Sequence, residues 1–275
     1  MVRIFLVFGM ILWTVPCIAQ SLKVYFLNVG EGESTYIETP SGQNMLIDAG
    51  NIMTGNSVVQ FFRKQNISAL QALVITHPHY DHMSGVFQLL SAISPQYRYD
   101  NGQLLQEADQ DIYRWYREFY RKDNYEILRK GVSLDWNPVK IEILSPGELT
   151  GDWNRDSLVM FLRYGEIQFL FMADATTQTE TQILEQFPNL RADVVKVGHH
   201  GAKDASSPAF VKALHPRYAV ISTNSANIRG YPSPQIVKRW TDAGASVLTT
   251  FNDGTILMES DGHSINLRAA PFSQF

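Results

Sequence analysis

The chain has 275 residues, of which 45% are hydrophobic and 18% are charged, and this composition excludes a disordered chain. The formal net charge is -4, so no basic field covers the chain to attract nucleic acid or an anionic membrane. Cys17 is the only cysteine, which excludes disulfides, a thiolate nucleophile and sulfur-ligated zinc from the sequence that follows it.

Residues 1–20 have the pattern of a secretory signal peptide. Arg3 supplies a positive charge, Ile4–Val15 is a nearly continuous apolar run, and Cys17–Ala19 has small residues at the positions that a signal peptidase reads. We expect cleavage after Ala19 or the next residue, and therefore a periplasmic or secreted bacterial protein.

The mature domain would then comprise residues 21–275. The apolar run is short for a membrane span, so no stable span is expected after cleavage. An uncleaved anchor is the alternative, and lipidation at Cys17 fits less well because Pro16 precedes it.

The first half of the domain predicts three meandering strands, a helix, a fourth strand and a further helical segment. In chain order these are Leu22–Leu27, Ser34–Ile37, Asn44–Ile47, Asn56–Asn66, Ala72–Thr76 and Met83–Leu90.

The stretch of about residues 95–136 is rich in aromatic side chains and predicts a helical insertion. One face of the predicted helix comprises Leu105, Ala108, Ile112, Trp115 and Phe119. Such a helix packs against the core, or else it covers the functional site and shapes substrate choice.

The second half repeats the order of the first. Strands are expected at Val139–Leu144, Ser157–Leu162, Ile167–Met172, Ala192–Val197, Tyr218–Ser222, Ser246–Thr250, Thr255–Met258 and Ser264–Leu267, and helices at Thr176–Phe187, Pro208–Leu214 and Pro234–Ala243. This order predicts an α/β (α+β) fold in which two packed sheets have helices outside.

Acids and histidines follow apolar strands at four places. They are Asp48, the motif Thr76–His82, Asp174 and the pair His199–His200. Five of the seven histidines lie in the motif and in this pair, while His215 and His263 lie outside any cluster. Imidazole and carboxylate groups without cysteine are typical of catalytic metal sites.

The motif itself indicates two metals. His77 and His79 are two residues apart on an extended segment, so both face one point and can share a metal ion. Asp81 and His82 follow where the chain turns into a helix, and we expect them to face a second ion.

The H-x-H-x-D-H pattern resembles the signature of the metallo-β-lactamase superfamily. Within it, the chain is most similar to the C-terminal hydrolase domain of ComEC-type competence proteins and its stand-alone relatives. The segments that carry this resemblance are Leu27–Ser34, Leu46–Gly50, the motif, Phe171–Ala175, Val195–Gly201 and Tyr231–Pro234.

The resemblance implies an αββα sandwich of two mixed sheets and a site for two divalent ions, zinc or manganese. The implied metal ligands are His77, His79, Asp81, His82, Asp174 and His199. Asp174 would bridge both ions, and Asp81 and His200 are assigned to catalysis. The order of the two adjacent histidines stays open. Asp48 is expected to orient a ligand histidine.

One departure from the family pattern bears on substrate and metal. Many members have a further histidine ligand before the bridging aspartate, and no histidine lies between His82 and His199 here. Asp156 or Asn154 is the candidate for that place, which would favour manganese. Tyr231 stands where the ComEC-like group often has histidine.

These features predict a phosphoesterase of the phosphodiesterase or nuclease type, in which a metal-bound hydroxide attacks a phosphate ester. The acidic net charge does not support tight nucleic-acid binding, although nucleic acid stays a candidate partner. The alternatives are an esterase for phosphorylcholine-type envelope components, a β-lactamase or lactonase, and a non-catalytic metal- or DNA-binding module. The oligomeric state is not indicated.

Overall fold

The computed structural model describes residues 21–30, 32–103, 111–224 and 229–270. The predicted signal peptide and the first two residues of the predicted aromatic helix face, Leu105 and Ala108, lie outside these ranges. Within these ranges, no helix is both long enough and apolar enough to cross a membrane.

Two mixed sheets pack face to face, which confirms the predicted αββα sandwich. The first sheet has the spatial order β15-β14-β1-β2-β3-β4-β5-β6. Its strands are β1 (Leu22–Phe26), β2 (Thr35–Glu38), β3 (Asn44–Ile47), β4 (Leu70–Ile75), β5 (Pro95–Asp100), β6 (Tyr125–Ile127), β14 (Thr255–Ser260) and β15 (Ile265–Ala270).

The second sheet has the order β13-β12-β11-β10-β9-β8-β7. Its strands are β7 (Ser133–Trp136), β8 (Val139–Ser145), β9 (Val159–Tyr164), β10 (Ile167–Phe171), β11 (Val194–Lys196), β12 (Tyr218–Ile221) and β13 (Ser246–Thr249). Strands β10 to β13 run parallel, whereas β7 to β10 pair antiparallel.

Helices of the described ranges follow strands of both sheets. They are α1 (Gly55–Lys64), α2 (Tyr80–Met83), α3 (Val86–Ala92), α4 (Asp111–Trp115) with a π-helical turn at Tyr116–Tyr120, α5 (Thr177–Gln186), a 3-10 turn at Gly198–Gly201, α6 (Pro208–Leu214), α7 (Pro234–Asp242) and α8 (Thr250–Asp253).

Side-chain alternation along the strands builds separate apolar layers. On β11, Val194 belongs to the cluster between the two sheets, and Val195 belongs to the cluster under α5, α6 and α7. On the other side, Val58 and Phe62 of α1 pack on the outer face of the first sheet. Both faces of each sheet are therefore covered, as a mixed sheet with parallel strands requires.

Two features differ from the sequence-based expectation. The aromatic stretch is not a purely helical insertion, because Pro95–Asp100 and Tyr125–Ile127 extend the first sheet as parallel strands. The last two strands of the chain are not part of the second sheet, to which the other strands of the second half belong. Instead, β14 pairs antiparallel with β1 and closes the first sheet, so both halves of the chain contribute to that layer.

Candidate metal centre

The site lies at one edge of the sandwich, where loops leave the ends of several strands. Strand β4 ends at Ile75, and His79 lies in extended conformation directly before α2. This short helix turns Asp81 and His82 into the interior, where both are buried. From the second sheet, Asp174 follows β10, and the His199 backbone N–H donates to the Ala173 carbonyl at 2.8 Å.

The first group of potential ligands comprises His77, His79 and Asp174. Their donor atoms lie within 4.8 Å of one another. His77 Nε2 is 2.9 Å from His79 Nδ1 and 3.7 Å from Asp174 Oδ2. Burial and the neighbouring His82 charge hold the pKa of His77 well below its usual value, so its imidazole is neutral and able to bind a metal.

The second group comprises Asp81, His82 and His200, with donor atoms again within 4.8 Å of one another. His200 Nε2 is 3.7 Å from Asp81 Oδ2. Asp174 lies between the two groups, because its Oδ1 is 3.3 Å from His82 Nε2 and 3.6 Å from His200 Nε2. Its position is the one expected of a bridging carboxylate.

Among the described residues, three buried atoms at this point have no hydrogen-bond partner: His82 Nε2, Asp174 Oδ1 and His200 Nε2. Buried polar atoms are normally paired, so three unpaired atoms that face one another indicate a ligand. An imidazole nitrogen and a carboxylate oxygen in this arrangement fit a divalent cation. The residues therefore fit the metal that the motif predicts.

Hydrogen bonds behind the ligands set their orientation. Asp48 Oδ2 lies 2.7 Å from His82 Nδ1, and Thr76 donates to Asp48 through its backbone N–H and its hydroxyl, each at 2.8 Å. His200 Nδ1 donates to the Ser222 carbonyl at 3.0 Å. Each contact directs the Nε2 atom of its histidine into the site.

The structure distinguishes the two adjacent histidines, whose order the sequence left open. Both have positive φ angles, 46° for His199 and 52° for His200, and their rings diverge with centroids 6.5 Å apart. The structure places His200, and not His199, with Asp81 and His82. His199 lies beside this cluster, with Nε2 3.9 Å from Asp174 Oδ2.

His199 is held by an exposed carboxylate. Its Nδ1 lies 2.8 Å from Asp204 Oδ1. Burial alone would lower the pKa of His199, but the hydrogen bond to Asp204 and the charge of Asp174 together raise it. A protonated ring with Nε2 near the cluster can donate a hydrogen bond to an anion.

Among the described residues, Asp156 is not part of any group of potential metal ligands. Its carboxylate accepts hydrogen bonds from the Thr150 and Gly151 backbone N–H groups, the Thr150 hydroxyl and the Gln103 amide. Because the Asp156 carboxylate accepts these hydrogen bonds, it stabilises the loop that contains Thr150 and Gly151. Asn154 lies at the edge of the cluster, with its Nδ2 3.5 Å from His199 Nε2. Its buried Oδ1 has no hydrogen-bond partner within the part of the chain that the structure describes.

Aromatic residues flank the cluster on two sides. The Trp153 ring lies 5.2 Å from the His79 ring, and the Tyr113 ring of α4 lies 5.6 Å from Trp153. The Tyr231 ring lies 5.4 Å from His199. The aromatic stretch therefore reaches the site through Tyr113, while most of its buried rings pack against the first sheet.

Three functional candidates were not singled out from the sequence. Glu33 offers an oxygen within 4.8 Å of ligand atoms of His82 and Asp174. Arg229 Nη1 lies 3.3 Å from Asp81 Oδ2, and Asp204 Oδ1 lies 2.8 Å from His199 Nδ1. Their positions depend on loops that meet only in the folded chain, and no spacing pattern marks them.

Comparison with known proteins agrees with this geometry. The model of the metallo-beta-lactamase superfamily matches residues 27–225. The chain is 26% identical to ComE operon protein 3 of Bacillus subtilis, over 90% of this chain and 34% of that protein. It is 28% identical to competence protein ComA of Neisseria gonorrhoeae, over 83% of this chain and 31% of that protein. The chain thus spans about a third of the length of these curated relatives.

A solved structure shows the same fold. The metallo-beta-lactamase fold protein YhfI from Bacillus subtilis superposes with a TM-score of 0.58 at 13% identity, covering 87% of this chain and 100% of that one. The relatives are ComEC-type competence proteins, which confirms the resemblance drawn from the motifs. The chain belongs to the metallo-β-lactamase superfamily of metal-dependent hydrolases.

Proposed function

We propose that the protein is a secreted metal-dependent phosphoesterase of the phosphodiesterase or nuclease type. The observation that carries the proposal is the convergence of the unpaired His82, Asp174 and His200 atoms at one point. The cationic Arg229 side chain lies next to that point, 3.3 Å from Asp81. A metal centre beside a guanidinium group suits a phosphate ester.

Two divalent ions fit the arrangement of ligands. One would be held by His77, His79 and Asp174, and the other by Asp81, His82 and His200, with Asp174 shared. When bound, two such ions lower the pKa of a water molecule and offset charge on a phosphoryl group. The nitrogen and oxygen ligands suit zinc or manganese, and an oxygen from Asn154 in place of histidine would favour manganese.

Side chains of the protein would bind and orient the substrate. Arg229 is 57% exposed, so its guanidinium can reach a phosphoryl oxygen as well as Asp81. His199, held by Asp204, is placed to donate a proton from Nε2 to the leaving oxygen. Asp81 would orient the attacking water through its carboxylate.

The aromatic side chains beside the metal centre favour a second candidate substrate. Trp153 lies beside His79, and Tyr113 lies beside Trp153. These two rings could bind the quaternary ammonium of a phosphorylcholine ester. They could equally stack on a nucleobase. Because the relatives include a competence protein, single-stranded DNA belongs among the substrates to test, although the net charge of -4 weighs against a long polyanion.

The test combines metal analysis with a panel of substrates. The purified protein is assayed on bis-p-nitrophenyl phosphate, p-nitrophenyl phosphorylcholine and single-stranded DNA, with manganese, with zinc and with EDTA. We expect metal-dependent hydrolysis, and a loss of roughly 100-fold or more in Asp81→Asn. Asp242→Asn, at a surface ion pair with Lys238, is the matched control and should retain full activity.

Each outcome has a defined meaning. Full activity of Asp81→Asn at unchanged metal content would contradict the mechanism. Absence of metal-dependent turnover on the whole panel would favour a non-catalytic binding module. A Trp153→Ala variant that loses only the choline ester or only DNA would identify the substrate class.

Secretion is a separate part of the proposal and rests on residues 1–20. We expect the N-terminus of protein isolated from the periplasm or medium to begin near residue 20. Recovery of the intact N-terminus in the cytoplasm would contradict it.

A further inference from the structure

A buried ion pair lies between the two sheets, next to the metal centre. Lys196 Nζ is 2.6 Å from Glu33 Oε2, and the two side chains are 0% and 1% exposed. Lys196 lies two residues after Val194 on β11, so its side chain enters the same apolar layer between the sheets. Glu33 comes from the opposite sheet, in the connection between β1 and β2.

The position of Glu33 is set by backbone contacts to the site loops. Its N–H donates to the Asp81 carbonyl at 3.2 Å, and its carbonyl accepts from the Gly50 N–H at 2.9 Å. A Cβ at Gly32 would lie 2.2 Å from the Asp81 carbonyl oxygen, so only glycine permits this approach. Glu33 therefore lies next to Asp81 independently of its contact with Lys196.

This position brings a third carboxylate to the centre. A Glu33 oxygen lies within 4.8 Å of ligand atoms of His82 and Asp174. A buried ion pair is costly to desolvate and often contributes less stability than apolar residues of the same volume. A contribution to fold stability is therefore a weak explanation for the charges of Glu33 and Lys196. A role in the charge balance of a cation site explains the presence of both.

We propose that Glu33 and Lys196 are positioning residues that set the charge of the metal centre. The Glu33 carboxylate attracts cations to His82 and Asp174, and the Lys196 ammonium offsets that charge and keeps Glu33 from displacing a ligand. The inference rests on the metal centre of the proposed function, and it is independent of the substrate.

The experiment measures metal affinity rather than turnover. Kd values for manganese and zinc are determined by calorimetry for wild type, Glu33→Gln, Lys196→Met and the double variant. Glu33→Gln should weaken manganese binding and Lys196→Met should tighten it, each by roughly tenfold. The Kd of the double variant should lie between those of the two single variants, because neither charge remains without its partner.

A matched control separates charge from packing. Val194→Ala opens a gap on the same strand and in the same layer, so it should lower the melting temperature of the metal-free protein without changing metal affinity. If Lys196→Met does not fold, Lys196→Gln removes the charge while keeping a donor for Glu33, and the same tightening is expected.

The proposal would be overturned if both single variants changed Kd in the same direction, or if neither changed it. Failure of every variant of the pair to fold would assign it to stability alone and would overturn the proposal too. A wild-type protein that binds neither manganese nor zinc would instead contradict the proposed function.

Discussion

His82 shows how single contacts define the centre at the scale of the residue. Its ring lies between two carboxylates, with Nδ1 2.7 Å from Asp48 and Nε2 3.3 Å from Asp174. Burial alone would lower the pKa of His82, but the charges of Asp174 and Asp48 raise it well above its usual value of 6.5. In metal-free protein, a proton on His82 therefore takes the place that a cation would fill.

The contact between His82 and Asp174 predicts that the stability of the metal-free protein depends on pH. A histidine whose pKa is raised on folding adds stability that is fully present below its unfolded pKa and lost as pH rises through its folded pKa. In EDTA, Asp174→Asn should therefore destabilise most below about pH 6.5, by roughly 3 kcal/mol, and progressively less at higher pH. Thermal unfolding from pH 6 to pH 10 measures this difference.

Asp204→Asn is the control for the pH series, because Asp204 is 53% exposed and contacts His199 only at the edge of the cluster. Asp204→Asn should change the free energy of unfolding only slightly at every pH. A destabilisation by Asp174→Asn that stays constant across the series would show that the charge on His82 is not the cause.

Local chemistry determines some elements and not others. For α6, the Ser207 side chain accepts from the Phe210 N–H and Pro208 begins the helix, so the predicted bounds match the observed ones. In contrast, β5 lies within the predicted helical insertion, although its alternation of tyrosine with polar residues has the two-residue period of a strand. Parallel pairing with β4 and β6 places it in the first sheet.

The close packing of Gly85, which directly precedes α3, predicts that even a substitution by alanine strongly affects stability. A Cβ at Gly85 would lie 1.9 Å from the Ala49 carbonyl oxygen and 3.1 Å from the Gly50 oxygen. Gly85→Ala should therefore push α2, which carries Asp81 and His82, away from the loop that contains Asp48. We expect it to lower the free energy of unfolding by roughly 1–3 kcal/mol and to weaken metal binding.

Gly147→Ala provides the comparison, because a Cβ there would meet only the Lys130 side chain, at 3.8 Å or more. Its melting temperature should be close to that of wild type. Equal melting temperatures for the two alanine variants would show that the close approach at Gly85 can relax without cost.

At the scale of the whole molecule, the centre joins the two sheets. His77, His79, Asp81 and His82 follow a strand of the first sheet, and Asp174 and His200 follow strands of the second. A bound ion must therefore stabilise the packing of the sandwich, since it binds the folded chain and not the separated halves.

Metal addition should raise the melting temperature. At manganese concentrations near 100 times Kd, we expect an increase of roughly 5–10 °C over protein in EDTA, measured by calorimetry. Asp174→Asn should lose most of this increase because Asp174 lies between the two ligand groups, whereas Asp242→Asn should keep it. An increase of the same size in both variants would place the stabilising ion elsewhere.

The sequence by itself determined the fold class, the ligand types and the four strand ends that carry them. These features are local, since apolar strands followed by histidine or aspartate are visible in the order of residues. Only the tertiary structure decided that His200 joins Asp81 and His82, that Asp156 organises a loop, and that Glu33, Lys196 and Arg229 lie at the centre. Those assignments depend on positive φ angles and on loops from opposite sheets, which meet only when the two layers pack.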